Sequence, residues 1–352
     1  MTAAERSYIG LAKQTAKGTP NVTDNLFHYF LFREGGAGPN NVTIPLDQEV
    51  GGGAMLRGMV RVGVTSAGVF QIIPRPTVLG HFLLGALGYE SDVVVLSAGQ
   101  AYKHTFLLPT DQFDAPYYTL RSAPGNIWGE QYQDMRVASL NFNWKAADYL
   151  RGSVAFLGGL PLSGLATTAW SVPTYLDVGP QFLAPITTVE LPTGSPVKVL
   201  SGSINLGLQI PLDEQWITGS YVPDDFQINQ RAFSITMAVK IVDATLYDKM
   251  NYDANGGCAW AANILREADI KLLFNSDQLA YTAYPYSLNV KASGCNQASG
   301  YANVIWSATP IALRAGRQVT MAITGVFIGA LEADPPIKVE LVNKQATCYD
   351  IT

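Results

Sequence analysis

Charge is the first thing this sequence is short of. Its 352 residues include 23 Lys and Arg and 28 Asp and Glu, 14% together, where soluble domains carry about 25%. The apolar fraction, 48%, is ordinary, so disorder driven by charge and low hydrophobicity is excluded. A folded chain with a weakly charged surface is left. No basic cluster is present, and a net charge of −5 argues against a protein that grips nucleic acid through its phosphates. Cysteine is scarce too. Cys258, Cys295 and Cys348 are odd in number and widely spaced, which argues against a disulfide framework and favours buried thiols or bystanders in a reducing compartment. The opening residues mix Glu5, Arg6, Lys13 and Lys17 with polar side chains and lack the apolar core of a secretory leader. The longest uncharged run, Gly152 to Leu176, is broken by Gly158, Gly159, Pro161, Gly164 and Pro173, so it reads as a strand followed by a loop and not as a membrane span.

Catalytic signatures are also missing. There is no G-x-S-x-G, G-x-G-x-x-G, G-x-x-x-x-G-K or H-E-x-x-H, which removes local support for nucleophilic, nucleotide and zinc chemistry. His28, His81 and His104 have no ligand spacing and are expected to be structural. Asn251, Asp253, Asn255 and Gly256 imitate the opening of a calcium loop, but its twelfth position is Ala262 where a bidentate Glu belongs, so a polar turn is expected. Asp134, Asp148, Asp224 and Asp225 could form a carboxylate pair for glycoside hydrolysis, although scattered loop carboxylates are usually solvated. The 17 Tyr and 6 Trp, among them Tyr117, Tyr118, Trp144 and Trp306, suit strand cores better than stacking platforms. The expectation is a protein with no catalytic residue, no cofactor and no metal.

What is present is period-two alternation, the mark of half-buried antiparallel strands. Leu140, Phe142 and Trp144 alternate with polar residues, as do Ile204, Leu206, Leu208 and Ile210, and Phe233 through Ile241. Val60 to Val64 is expected to enter a turn at Ser66-Ala67-Gly68 before Val69 to Ile73, and Val319 to Ile328 repeats the strand pattern. Helical spacing is clear at Thr77 to Leu87, where an apolar stripe lies between a capping Thr77 and Gly88. Shorter helices are expected at Asp243 to Met250 and Ala259 to Glu267. The pattern lapses from Pro161 to Pro196, where Pro173, Pro180, Pro185 and Pro192 recur. The chain therefore divides into residues 1–175, a Pro-rich connection at 176–198, and residues 199–352. Each half holds strands, a flanking helix and more strands, which suggests two tandem β-sandwich modules.

The second face of these strands is the most informative feature. Ser139, Asn141, Asn143, Asn205, Gln209, Ser234, Thr236, Thr320 and Thr324 are polar yet uncharged, whereas a face in bulk water usually carries Lys and Glu. Such residues suit contacts between subunits, or a wetted wall that neither grips nor repels a passing polyelectrolyte; the alternative is that charge is low throughout and these faces sample the average.

The order of these pieces resembles the tail tube proteins of long-tailed bacteriophages, in the longer form with two tail-tube modules per chain. The resemblance is carried by Arg6 to Pro20 (RSYIGLAKQTAKGTP), by Val60 to Gly88 with its helix ending Leu84-Gly85-Ala86-Leu87-Gly88, and by the hairpin Val137 to Gly159. In the second half it rests on Pro223-Asp224-Asp225, Arg231, Asp243 to Tyr247, and Gly316 to Ala330 with Phe327. Gly256 to Arg266 and Leu331 to Thr352 depart from it. The resemblance implies a structural virion protein whose inner strands join into a barrel on oligomerisation. Three chains would form a ring, and rings would stack into a tube through which DNA passes without specific binding. Its partners would be itself and other tail proteins (tape measure, tail tip, terminator), with no membrane, in a tail assembled in the host cytoplasm. Arg33 to Gly53 and the two termini are candidate arms between rings. The alternative is a β-sandwich module that binds carbohydrate or a receptor.

Overall fold

The computed structural model describes residues 7–47, 55, 58–111, 113–159, 161–165, 170, 175, 179–191, 196–242, 266–267, 270–292, 304–308, 311, 319–328 and 337–350. In chain order the elements of the first half are β1 (Tyr8–Lys13), β2 (His28–Phe30), β3 (Glu34–Pro45), β4 (Met59–Ile72), α1 (Pro76–Leu87), β5 (Tyr89–Glu90), β6 (Val94–Ser97), β7 (Ala101–Leu107), β8 (Tyr118–Ala123), β9 (Gly129–Lys145), β10 (Arg151–Gly158) and β11 (Pro161–Leu165). There follow β12 (Leu183–Glu190), β13 (Val199–Gln209), β14 (Gln230–Lys240), β15 (Arg266–Glu267), β16 (Lys271–Tyr281), β17 (Tyr284–Lys291), β18 (Val304–Ala308), β19 (Thr320–Phe327) and β20 (Lys338–Asn343). The chain is mainly β, as its alternation predicts, and its strands form two antiparallel sheets; neither closes into a barrel within one chain.

Both sheets draw strands from both halves. The larger runs β15-β18-β19-β14-β13-β9-β10-β4-β3, with β1, β2, β8 and β11 beside it, and the smaller runs β12-β16-β17-β20-β7-β5 with β6 beside β7. Within the larger sheet the order β3-β4-β10-β9 recurs as β13-β14-β19-β18. In each half two consecutive strands, β3–β4 or β13–β14, pair as neighbours, and a later strand, β10 or β19, returns beside the second of them. All these pairs are antiparallel, and the halves join through β9 and β13, where Asn141 lies opposite Asn205.

The inward faces of the two sheets enclose the core. Leu140, Phe142, Ile204, Ile235, Met237 and Ile323 of the larger sheet are each at most 1% exposed, as are Leu272, Phe274, Leu288 and Leu341 of the smaller. Helix α1 lies within that core, buried beyond the stripe its spacing predicts. Pro76 starts it, because the missing N–H is one the first turn does not use. Thr77 is not its cap; Arg75 holds that position without a side-chain capping bond. Gly88, at φ 97°, ends it with an amide bond to the Leu84 carbonyl, a left-handed geometry that glycine adopts without a Cβ clash.

Ser66-Ala67-Gly68 is no turn, since β4 runs through it as one strand with Ser66 opposite Pro39 and Gly68 opposite Ala37. Its small residues admit close packing: a Cβ on Gly68 would press on Ala37 and Phe70. The true hairpin partner of β4 is β3, so within the expected arm Arg33 to Gly53 the residues Glu34–Pro45 are regular strand, while 48–53 lie outside the described residues. The lapse from Pro161 to Pro196 conceals β11 and β12. The N-terminal segment carries β1, paired with β8 and buried at Ile9 and Leu11. The tail carries β20, which lies between β17 and β7 at the middle of the smaller sheet. Neither end is a simple appendage. Asp243 to Met250 lies outside the described residues, as do Asn251, Asp253, Asn255, Gly256, Ala262, Cys258 and Cys295. Of Ala259 to Glu267, only Arg266 and Glu267 are described, and they are strand, not helix.

Candidate functional site: one face of the larger sheet

All nine neutral polar candidates fall on a single face. Strand registers place Gln71, Ser153, Asn141, Asn205 and Ser234 in one row across five strands. A second row joins Asn143, Ser203, Thr236, Thr324 and Ser307. Ser139, opposite Ala155 and Gly207, flanks the first row. Gln209 and Thr320 lie at opposite ends of the face, opposite Gln230 and Lys240. The alternation of side chains about each strand makes the arrangement unavoidable once the opposite face is committed to the core. Contacts along the rows are weak, with Asn141 Nδ2 3.5 Å from Ser153 Oγ and the Thr236 and Thr324 hydroxyls 3.4 Å apart. These side chains therefore remain open to another partner. Ser153, Ser203 and Gln71 belong to the same face and escaped the sequence reading, although the alternation of Arg151 to Gly158 held the signal.

The two ends of this face differ in charge. At one end lie Lys145, Lys198 and Lys240: Lys145 is opposite Ser201, and the Lys240 amide bonds the Lys198 carbonyl at 2.8 Å. At the other end, where β13 and β14 part, the 211–229 loop crosses the sheet. The Val64 amide bonds the Tyr221 carbonyl at 2.8 Å, and Arg136 Nη1 donates to the Phe226 carbonyl at 2.9 Å. Between this loop and residues 111–114 lies a cleft of ≈ 540 Å³ lined by Asp111, Asp114, Glu214, Asp225 and Arg136. Arg136 is 5% exposed, and its Nε has no hydrogen-bond partner among the described residues.

The expected carboxylate pair is only half assembled. Asp134 and Asp225 interact, whereas Asp148 sits at the β9–β10 turn in an ion pair with Arg151. Burial pushes Asp134 above the usual carboxylate range, partly offset by the Gly18 amide at 2.7 Å. Burial also raises Asp225, but hydrogen bonds from Tyr117 and the Phe226 amide, with Lys17 and Arg136 nearby, outweigh it and hold Asp225 low. These bonds fasten the 14–18 and 211–229 segments to β9, which is a structural task. Arg231 has another such task, donating to the Ala86 and Leu87 carbonyls at 2.8 and 3.1 Å; burial and Arg136 bring its pKa down to about 10 against the opposing pull of Asp114 and Asp111. Trp144, Trp306 and Tyr118 are core residues. Among the described residues no group of three His, Cys, Asp or Glu side chains could hold a metal ion, and no helix is long and apolar enough to cross a membrane.

A β-rich chain with one broad neutral face, unfinished sheet edges and ends of unlike charge has the build of a structural, self-associating protein. The chain belongs to the phage tail tube protein family, whose sequence model matches residues 4–295. It is thus a structural component of the bacteriophage tail tube. No curated protein matches it.

Proposed function

We propose that the chain forms rings of three copies that stack into a tube, with the neutral polar face lining the channel through which DNA leaves the virion. Residues 1–175 and 199–352 are then two tail-tube modules joined by 176–198. The supporting observation is the repeated strand order. The first module ends its row at β9, which receives β13 of the second; the second ends at β18, which leaves β3 of another copy as the equivalent partner. Strand directions alternate without interruption, so that pairing is antiparallel as well. The outer edge of β3 has no strand beside it among the described residues, and β15 covers β18 at only two positions. An open edge is a template for another strand.

Three chains of eight such strands give a barrel roughly 37 Å across before strand tilt, at about 4.8 Å per strand, enough for a double helix. The chain performs no catalysis in this reading. Its neighbours are copies of itself and other tail proteins, and it is assembled in the host cytoplasm before reaching the tail.

The reading is tested by oxidative cross-linking. With the native cysteines replaced, Ser307→Cys on β18 is combined with single cysteines along β3, including Gly38→Cys, where a Cβ meets open space. Cross-links between copies that end in closed trimers support the reading. Cross-links absent from every β3 position, in protein that still associates, would sink it.

A further inference from the structure

The larger sheet has opposite charge at its two ends, and the two clusters lie one strand length apart. Lys198 and Lys240 flank the ends of β13 and β14, and Lys145 ends β9. None of the three has an ion-pair partner among the described residues, and Lys145 and Lys198 are exposed. Arg75, beyond the end of β4, adds a fourth cation on that side, donating to the Gly179 carbonyl. Among the described residues the carboxylates on that side are Asp148, paired with Arg151 at 2.9 Å, Glu190, paired with Lys271 at 3.0 Å, and the exposed Glu34 at the start of β3.

At the far end, about 35 Å away along an eleven-residue strand, Asp111, Asp114, Asp213 and Glu214 are exposed and make no ion pair among the described residues. Of the cations at that end, Arg61 of β4 is exposed without an ion pair among the described residues, and the others are engaged. Arg231 is committed to the carbonyls of α1, Lys17 to Asp225, and Arg136 to the Phe226 carbonyl and the Tyr117 ring. Arg136 still leaves its buried Nε without a partner in the cleft wall, so the cleft has a polar group to spare as well as excess negative charge.

A net excess of one sign at one end and of the other sign at the opposite end suits an object that repeats head to tail. A head-to-tail contact that does not close gives a filament, and complementary charges across it fix register and suppress the wrong orientation. We propose that the cleft end of the larger sheet receives the lysine end of a second copy in the next ring, so that Asp111, Asp114 and Glu214 face Lys145, Lys198 and Lys240 across each ring-to-ring junction. This rests on the tube reading and adds to it the chemistry and polarity of the axial contact. Each ring then adds in one orientation only, because two lysine ends or two cleft ends repel.

The test uses two full-length charge reversals. One carries Lys145→Glu, Lys198→Glu and Lys240→Glu; the other carries Asp111→Lys, Asp114→Lys and Glu214→Lys. All six positions lie at strand ends or on loops, and thermal melting of each variant verifies its fold. Sedimentation and electron microscopy at low salt read the product. Wild type should give tubes, each reversal alone should stop at rings or short stacks, and an equimolar mixture should restore tubes, since the reversed lysine end of one variant fits the reversed cleft end of the other. Raising the salt should shorten wild-type tubes, because the Debye length falls below about 10 Å above 0.1 M. Tubes of normal length from either folded reversal alone would overturn the proposal, as would a mixture of folded variants that fails to elongate. If a reversal does not fold, its Gln or Asn counterpart decides: tubes of full, salt-insensitive length overturn the proposal. Wild-type protein that forms no tube under any condition is a different failure, and it falls on the tube reading itself.

Discussion

His104 and Glu90 meet in the core, with Nδ1 2.7 Å from Oε1 and neither side chain exposed. The other ring nitrogen, Nε2, faces Asn343 Oδ1 at 3.1 Å and the Gln345 carbonyl at 2.9 Å. The second Glu90 oxygen takes the Tyr349 amide at 2.5 Å and the Asp350 amide at 3.2 Å. Asn343 Nδ2 in turn donates to the Tyr349 hydroxyl at 2.7 Å. One buried network thus ties β5, β7 and β20 to the residues that follow β20.

Its first consequence concerns the C-terminal segment. Replacing Glu90 with Leu strips His104 and two amides of their acceptor, and a buried donor left unsatisfied costs about 1–3 kcal/mol. Urea unfolding of Glu90→Leu should show a loss of that size with an unchanged m-value. Truncation before Ile337 should prevent folding altogether, since it also removes Ile337, Val339 and Leu341, all fully buried. A truncated chain that folds and melts like the full one would contradict this.

Acid should weaken the fold through His81. It is buried, stacked on His28 at 4.4 Å, and burial, reinforced by His28, holds its pKa well below the ordinary value. Burial lowers His28 as well. An unfolded chain takes up these protons near pH 6.5 while the folded one resists, so the unfolded state binds more protons and stability falls as pH drops below that value. Above it the contribution is complete. Denaturant midpoints between pH 7.5 and 5 should decline, and less steeply in His81→Phe; equal slopes would show that His81 does not titrate on unfolding.

Gly80 and Tyr349 form a second lock on the tail. A Cβ at Gly80 would run into the Tyr349 ring, and overpacking of this kind costs about 1–3 kcal/mol. Gly80→Ala should therefore expose the C-terminal segment to protease before the rest of the chain. Adding Tyr349→Ala should relieve the clash, though not the lost packing. Identical cleavage of Gly80→Ala and wild type would refute the contact.

The channel carries its own prediction. Asn141 and Asn143 lie on the polar face, opposite core residues Phe142 and Trp144 in the alternation of β9, so arginine at both positions leaves the strand foldable. If they line the lumen, the added charge slows DNA ejection at low salt, because each cation-phosphate contact adds affinity, and raised salt restores the rate. Particles with normal ejection at low salt would place these residues elsewhere.

The strands and the polar face were legible in the sequence because alternation reports directly which side of a strand meets the core. Leu140 to Lys145, Ile204 to Gln209 and Phe233 to Lys240 could be read without knowing any partner. What alternation cannot report is pairing. Ser66-Ala67-Gly68 looked like a turn because small residues suit turns, yet here they admit the close passage of β3. Exposed β3, with glycine at 35, 36 and 38, lacked an apolar side to alternate with. The tail looked detachable because nothing local in Lys338 to Asn343 says that β17 and β7 lie on either side. The acidic cleft is assembled from residues near 111, 136, 214 and 225, a convergence that exists only after folding.

A tube built from two modules per chain makes a definite image. The most direct test is electron microscopy of the assembled protein with averaging of end-on views. The expected image is a ring of three chains with six similar lobes, the larger sheet around the lumen and Asn141 and Thr236 facing inward. A discrete particle with no ring, or a ring whose lumen is lined by β16, β17 and β20, would contradict it.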